Sequence, residues 1–407
     1  KTKLFEIRKE LNIDTVKNSR QTRTDVQTRQ IVVDSKQNDV AGGWGVTQTK
    51  GRMATGDVLI PRCEGLIHFS SDNSAERMVP RDQLRQILHD EFADEFDNRF
   101  VGKKPHTKHR TPLKALGPYH QEHCDGHEKL SEQGLNIGAG IHLPIYASKD
   151  QFGALVHALT LMPNVRKANA IAHYYLDLIE NRGFIISMQL TTDMGKEVNE
   201  MHKIHEVLRC VVFMDEVAPE FVPPQWPHGV KQSSTNNTPI ESFWRWLRDG
   251  EGHSVKMTLQ QGAATGIFLP HDPLHRQTFY WLWVPLIQTG LDSYREYWNN
   301  HKLQGSKGKL NASGWSPYHM MSNPTDAVAT ARDCSIRVNP ESVYRLREAY
   351  GGEEARDAAF RFVTREFEAE ADAAYVDLGC PEIILPTGWA VFQKVVAELE
   401  RRIGIIS

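Results

Sequence analysis

No stretch of this 407-residue chain approaches the roughly eighteen consecutive apolar residues that a membrane helix needs. The richest run, Phe279 to Leu291, is broken by Gln288, Thr289 and Gly290, so no membrane-spanning segment is expected. Lys1 to Thr49 lacks an apolar segment followed by a small-residue cleavage site, so no signal peptide is read, and a start at Lys1 rather than Met suggests that the beginning is missing. Cysteine is scarce: Cys63, Cys124, Cys210, Cys334 and Cys380 are isolated, and none forms a C-x-x-C pair. That excludes a zinc ribbon, argues against a disulfide framework and points to a reducing compartment. A strong excess of one charge is also missing, because 48 Lys/Arg against 51 Asp/Glu leave a net charge of -3. The distribution is uneven, with 11 basic against 6 acidic residues over 1–52 and 8 against 13 over 341–407. A basic front is the footprint of a nucleic-acid partner or ordinary solvated surface, and composition alone does not separate the two.

What is present suits a folded protein. Apolar residues make up 40% and charged residues 24%, enough to bury a core, and at about 150 residues per domain the length implies two to three domains. Residues 1–40 read as a polar arm or truncated segment, with a helix at Leu4 to Leu11. Residues 41–100 read as a helical region, with a short helix stopped at Gly56 and a second over Arg81 to Phe96, where Leu84, Ile87, Leu88, Phe92 and Phe96 recur at helical spacing. Two short helices and a turn fit a helix-turn-helix or a plain bundle. L-I-P-R (59 to 62) is echoed by M-V-P-R (78 to 81), so 63–78 reads as an insertion, and the basic, Pro-containing 101–116 reads as a linker.

From Gly117 the pattern changes to strands alternating with helices: a strand at Glu122 to Leu130, a hairpin of Leu143 to Ala147 and Ala154 to Met162, and a helix over Ala168 to Glu180 ended by Gly183. A strand at Ile185 to Thr192, a helix at Val198 to Val211, a Pro-broken loop at 217–229 and a helix over Pro239 to Asp249 follow. The order predicts an α/β domain with a mixed sheet over 117–320. Residues 321–407 read as a helical C-terminal region, appended to that core.

Three acids stand where such a sheet lets them meet. Asp125 closes the first strand in H-C-D-G-H-E-K-L, Asp193 follows a later strand in Q-L-T-T-D-M-G-K-E, and Glu241 lies on the first turns of a helix in N-N-T-P-I-E-S-F-W-R-W-L-R. Their separations are 68 and 48 positions, but ligands of an α/β sheet gather beyond strand ends. Clustered carboxylates repel unless cations neutralise them, and hard oxygen donors suit Mg²⁺ or Mn²⁺. Two such ions would activate an attacking oxygen and stabilise a leaving one in phosphodiester cleavage or transfer. An Asp after a strand serves equally as a helix cap or turn residue. Gly126 and Gly195 beside the two aspartates are expected to permit tight turns that expose the carboxylates. His123, Asp125 and His127 share one strand face and Cys124 the other, which splits a would-be zinc site. The late tryptophans read as core, with Trp244 the one placed to touch DNA.

G-P-Y-H-Q-E-H-C-D-G-H-E-K, T-T-D-M-G-K-E and N-N-T-P-I-E-S-F-W-R-W-L-R, in that order, followed by Y-R-E-Y-W-N-N-H-K-L and S-G-W-S-P-Y-H-M, resemble the integrase core of the D-D-E transposase and retroviral-type integrase superfamily, in particular integrase-core proteins of fungal genomes. The resemblance implies a ribonuclease H-like five-stranded mixed sheet flanked by helices, two Mg²⁺ or Mn²⁺ ions, and cutting and joining of double-stranded DNA at element ends and target. Asp125 would bridge both ions, Asp193 hold one and Glu241 the other. It also implies a homo-oligomer and, for a eukaryotic source, a nuclear location. DNA contacts are expected from Lys103, Lys104, Lys108 and Arg110 in the linker, and from Lys129, Lys196, Trp244, Arg245 and Arg248 around the acids. The chain departs from the pattern in three ways: 47 residues separate Asp193 from Glu241, more than in retroviral integrases, no H-x-x-x-H and C-x-x-C domain precedes the core, and the tail is acidic. A catalytically silent DNA-binding or assembly protein that keeps the fold is the alternative expectation.

Overall fold

The structure is a computed structural model that describes residues 24–37, 39, 44–55, 79–92, 115–127, 135–138, 140–214, 227–232, 237–305 and 312–404. The expected helix at Leu4 to Leu11, the insertion at 63–78, most of the linker and most of the Pro-rich loop lie outside them.

The chain forms an α/β protein around a mixed sheet of β1 (Gln121–His127), β2 (Ile145–Asp150), β3 (Val156–Leu161), β5 (Gln189–Thr192) and β6 (Gly229–Lys231), in the order β3-β2-β1-β5-β6. β1, β2 and β3 are antiparallel neighbours, whereas β5 joins β1 in parallel and β6 joins β5 in parallel. The anticipated single strand over 185–192 is two: β4 (Ile185–Ile186) leaves the main sheet to pair with β7 (Ile336–Arg337).

Side chains alternate between two cores because successive strand residues face opposite sides. Cys124, Tyr146 and Leu190 meet α4 (Ala168–Asn181) and α5 (Asn199–Met214) on one side. Ile145, Ala147, Val156 and Leu159 meet the opposite layer of α6 (Thr238–Leu247), α7 (His253–Ala264) and α8 (Pro273–Asn300). Between α6 and α7, Arg248–Gly252 forms one π-helical turn. α8 also covers the free edge of β3: Gln288 accepts from the Leu161 amide at 2.9 Å and donates to the Leu159 carbonyl at 3.0 Å, and Asn299 pairs both backbone groups of Val156 at 2.9 Å. An exposed edge is thereby closed to pairing with another chain.

The remaining helices, beginning with the short α9 (Pro317–Ser322) and α10 (Pro324–Ala327), pack on this frame. α11 (Pro340–Ala349) and α12 (Gly352–Phe360) clamp α4 through Arg347 and Arg356, which both donate to Asp177. α13 (Arg365–Asp377) and α14 (Gly388–Ile403) enter the larger core, where the Trp389 indole donates to the Thr258 carbonyl at 2.6 Å. The C-terminal helices are therefore integral layers rather than an appendage. At the other end, α1 (Asp25–Ser35), α2 (Val46–Thr55) and α3 (Arg81–Glu91) share a small core around Val32, Met53, Leu84, Ile87 and Leu88. α1 falls within the span expected to be a polar arm and opens with a capping box between Thr24 and Gln27. This unit docks on the π-turn through a buried ion pair, Arg52 to Glu251 at 2.5 Å. Among the described residues Cys124, Cys210 and Cys334 are free. Among the described residues no helix is long and apolar enough to cross a membrane.

Candidate active site

The ends of β1 and β5 form the centre of the site. Their parallel register pairs Gln121 with Gln189, Glu122 with Leu190 and His123 with Thr191. Carried on by two residues, it sets Asp125 beside Asp193 at the strand ends, where neighbouring strands run about 4.8 Å apart. The Asp125 carboxylate accepts from the Gly126 amide at 2.9 Å and from the Trp244 indole Nε1 at 3.0 Å. Asp193 turns its carboxylate onto the Gly195 amide at 3.2 Å. Glu241 is exposed on the first turn of α6. Burial first, then the negative charges of Glu241 and Asp193, push the Asp125 carboxyl up to about 7, against the pull of the Trp244 and Gly126 N–H groups. Asp125 and Asp193 thus meet at one place, and Glu241 acts on Asp125 by its charge without lining the cleft beside them.

A cleft of about 400 Å³ opens there, lined by Asp125, Gly126, Tyr146, Val165, Arg166, Asp193, Glu197 and Val198. Arg166, Glu197 and Tyr146 were not singled out in the sequence. Arg166 precedes α4 by two residues, where a strand has just ended, a position that topology makes interesting but spacing does not. Neither glycine takes a positive φ: Gly126 lies within β1, and Gly195 follows the strand end with its amide on Asp193. Gly126 instead leaves room for the Tyr146 ring, 3.3 Å from where a Cβ would sit, and the Glu197 carboxylate folds over Gly195.

Helix α6 is held against β1 and β2 by buried polar groups. The first turn is fixed by His123, whose ring meets Asn237 Oδ1 at 2.6 Å and Gln151 Oε1 at 2.7 Å, and by Lys149, which donates to the Pro239 carbonyl at 2.9 Å. Burial holds His123 below its usual range, and a neutral ring donates from one nitrogen only, so one of the two amides presents its N–H₂ to the other. One turn later Trp244 stacks on His127, with ring centres 4.5 Å apart and planes 14° from parallel.

Trp244 is therefore interior, 2% exposed, and its indole serves Asp125 rather than a base; Trp246, two residues on, is 61% exposed. Arg245, Arg248 and Lys196 are exposed, and Arg248 is engaged by Asp249 at 2.9 Å. Lys103, Lys104, Lys108, Arg110 and Lys129 lie outside the described residues. Among the described residues no group of three His, Cys, Asp or Glu side chains is placed to hold a metal ion. The donors nonetheless suit Mg²⁺ or Mn²⁺, which are held by one or two carboxylates with substrate phosphates and water completing the shell.

Comparison with protein-family models gives no match, and comparison with curated proteins gives none either.

Proposed function

We propose that the chain is a metal-dependent polynucleotidyl transferase of the D-D-E integrase and transposase type, built on a ribonuclease H-like sheet, that cuts and joins double-stranded DNA. The observation that carries the reading is the cleft shared by Asp125 and Asp193, which the β1/β5 register sets side by side. The strand order supports it, because an antiparallel trio extended by two parallel strands puts one acid at the end of β1 and the next at the end of its parallel neighbour. The ordered motifs and their likeness to integrase cores supply the substrate class.

In this reading Asp125 would be shared by two ions, with Asp193 and Glu241 completing one each. The ions would supply an activated oxygen nucleophile, water or a DNA 3′-hydroxyl, and a neutralised leaving oxygen. The protein's own contribution is placement. Trp244 orients the Asp125 carboxylate, the β1/β5 register fixes Asp193, and the tethers on α6 fix Glu241. Arg166, on the wall of the cleft, can pair with a phosphate oxygen of the strand. The flanking basic residues Lys196, Arg245 and Arg248 face solvent where a duplex would run. Assembly as a homo-oligomer on paired ends, and a nuclear location in a eukaryotic host, follow from the resemblance alone.

A silent DNA-binding or assembly protein is the second reading, and the open arrangement of the three acids favours it. Labelled duplex DNA with Mg²⁺ or Mn²⁺ separates the two. Metal-dependent cleavage lost in Asp193→Asn supports the enzyme, and joined products select strand transfer over hydrolysis. DNA binding with no products in either protein overturns it.

A further inference from the structure

We infer that Lys149 and His123 are positioning residues for Glu241: acting through the first turn of α6, they set where that carboxylate stands relative to Asp125. The inference rests on the reading of Asp125, Asp193 and Glu241 as the metal-binding acids.

Three local rules are broken at one place. Asn237 begins α6 but makes no side-chain cap to its own helix, forgoing the bond that an Asn in that position ordinarily supplies. Its side chain instead turns to the sheet, to the His123 ring at 2.6 Å and the Cys124 carbonyl at 3.4 Å. Lys149 is buried at 6% exposure, and its ammonium meets the Pro239 carbonyl and, 5.9 Å away, the Trp298 ring rather than a carboxylate. Burying a charge in this way is unfavourable. Burial accordingly lowers the lysine to about 8. His123 is a third polar group enclosed where an apolar one would pack at lower cost.

The broken rules share a consequence. Asn237 is tied to β1 by its side chain and to Glu241 by its main chain, whose carbonyl accepts the Glu241 amide at 3.2 Å. Pro239, two residues before Glu241, is tied to β2 by Lys149. Both tethers end within one turn of Glu241, and they start from strands next to each other, one of which carries Asp125. Local costs gathered around one carboxylate are what placement of a functional group requires, whereas an apolar contact would hold the helix more cheaply but let its first turn shift.

The test is Lys149→Met, which keeps an unbranched chain, one atom shorter, and removes the donor. Exchanging a buried charge for an apolar chain offsets the loss of the hydrogen bond, so the melting temperature is expected to stay within a few degrees of native. Mn²⁺ affinity, read by electron paramagnetic resonance on metal-free protein, is expected to fall at least tenfold. Amide exchange at 238–242 is expected to accelerate while the sheet is unchanged. Lys149→Gln, which retains a donor, is expected to recover part of the affinity. A large fall in melting temperature, or an Mn²⁺ isotherm superimposed on the native one, overturns the inference. If the native chain binds no Mn²⁺, the metal reading has failed by itself, and amide exchange decides the tether: faster at 238–242 in Lys149→Met supports it, and unchanged exchange overturns it.

Discussion

Arg182→Met probes the charge buried under the candidate site. Glu122, three residues before Asp125 on β1, is fully enclosed and accepts from Arg182 Nη1 at 2.8 Å, from Ser187 at 2.9 Å and from Ser148. Burial pushes its carboxyl up, but Arg182, His157 and the hydroxyl outweigh that and hold it at about 2, below the ordinary 4.5. The difference corresponds to about 3 kcal/mol at neutral pH. This contribution is fully present above pH 4.5 and is lost as the pH falls toward 2. In Arg182→Met only the serine hydroxyls and His157 still oppose burial, so the carboxyl rises. The variant should lose about 3–5 kcal/mol at neutral pH, the cost of an uncompensated buried charge. Its deficit should then shrink as the pH falls from about 7 to 5, because protonation relieves that charge. Urea unfolding of both proteins across this range measures the difference, and groups common to both cancel. A second variant, Glu122→Gln with Arg182→Met, should recover most of the loss. A deficit below about 1 kcal/mol, or one that does not shrink on acidification, refutes the reasoning.

Trp244→Phe removes the N–H on Asp125 but keeps a ring against His127, so carbon-13 titration of the metal-free protein should find Asp125 above about 7; an unmoved titration contradicts the assigned hydrogen bond. Burial holds His205, fully enclosed, and His157, half-buried, neutral and lowers both to about 3, so each costs stability as the pH falls below 6.5. The cost is about 1.4 kcal/mol per pH unit for each ring, and His157→Gln should flatten the loss of melting temperature between about pH 6.5 and 5. Trp389→Ala should cost about 3–5 kcal/mol and lower a single unfolding transition, since the indole fills the space over Gly262. A separate, early transition would mark the C-terminal helices as an independent unit.

Local pattern identified most of the scaffold. The hairpin of β2 and β3, α4 ending at Gly183 with φ +70°, and α6 opening on Pro239 all carry the signals of their types. α1 was missed because its apolar residues are few, although Thr24 and Gln27 spell a capping box. The break between β4 and β5 was not visible because both halves are apolar, and only the partner differs: β7 for one and β1 for the other. The same holds for the C-terminal helices, whose periodicity announces a buried face without saying against what. Within the site, motif order indicated Asp125, Asp193 and Glu241, but not what holds them. Trp244 and Trp246 are alike as letters, and only the helix phase makes one interior and the other exposed. Lys149 reads as a surface lysine in a hairpin, until β2 proves buried along its whole length.

The central claim is that Asp125, Asp193 and Glu241 form one two-ion site. Anomalous scattering from crystals soaked in Mn²⁺ tests it most directly. The account predicts two peaks about 4 Å apart, one shared by Asp125 and Asp193 and one by Asp125 and Glu241. Peaks that avoid Asp125, or none at these three acids, would contradict it.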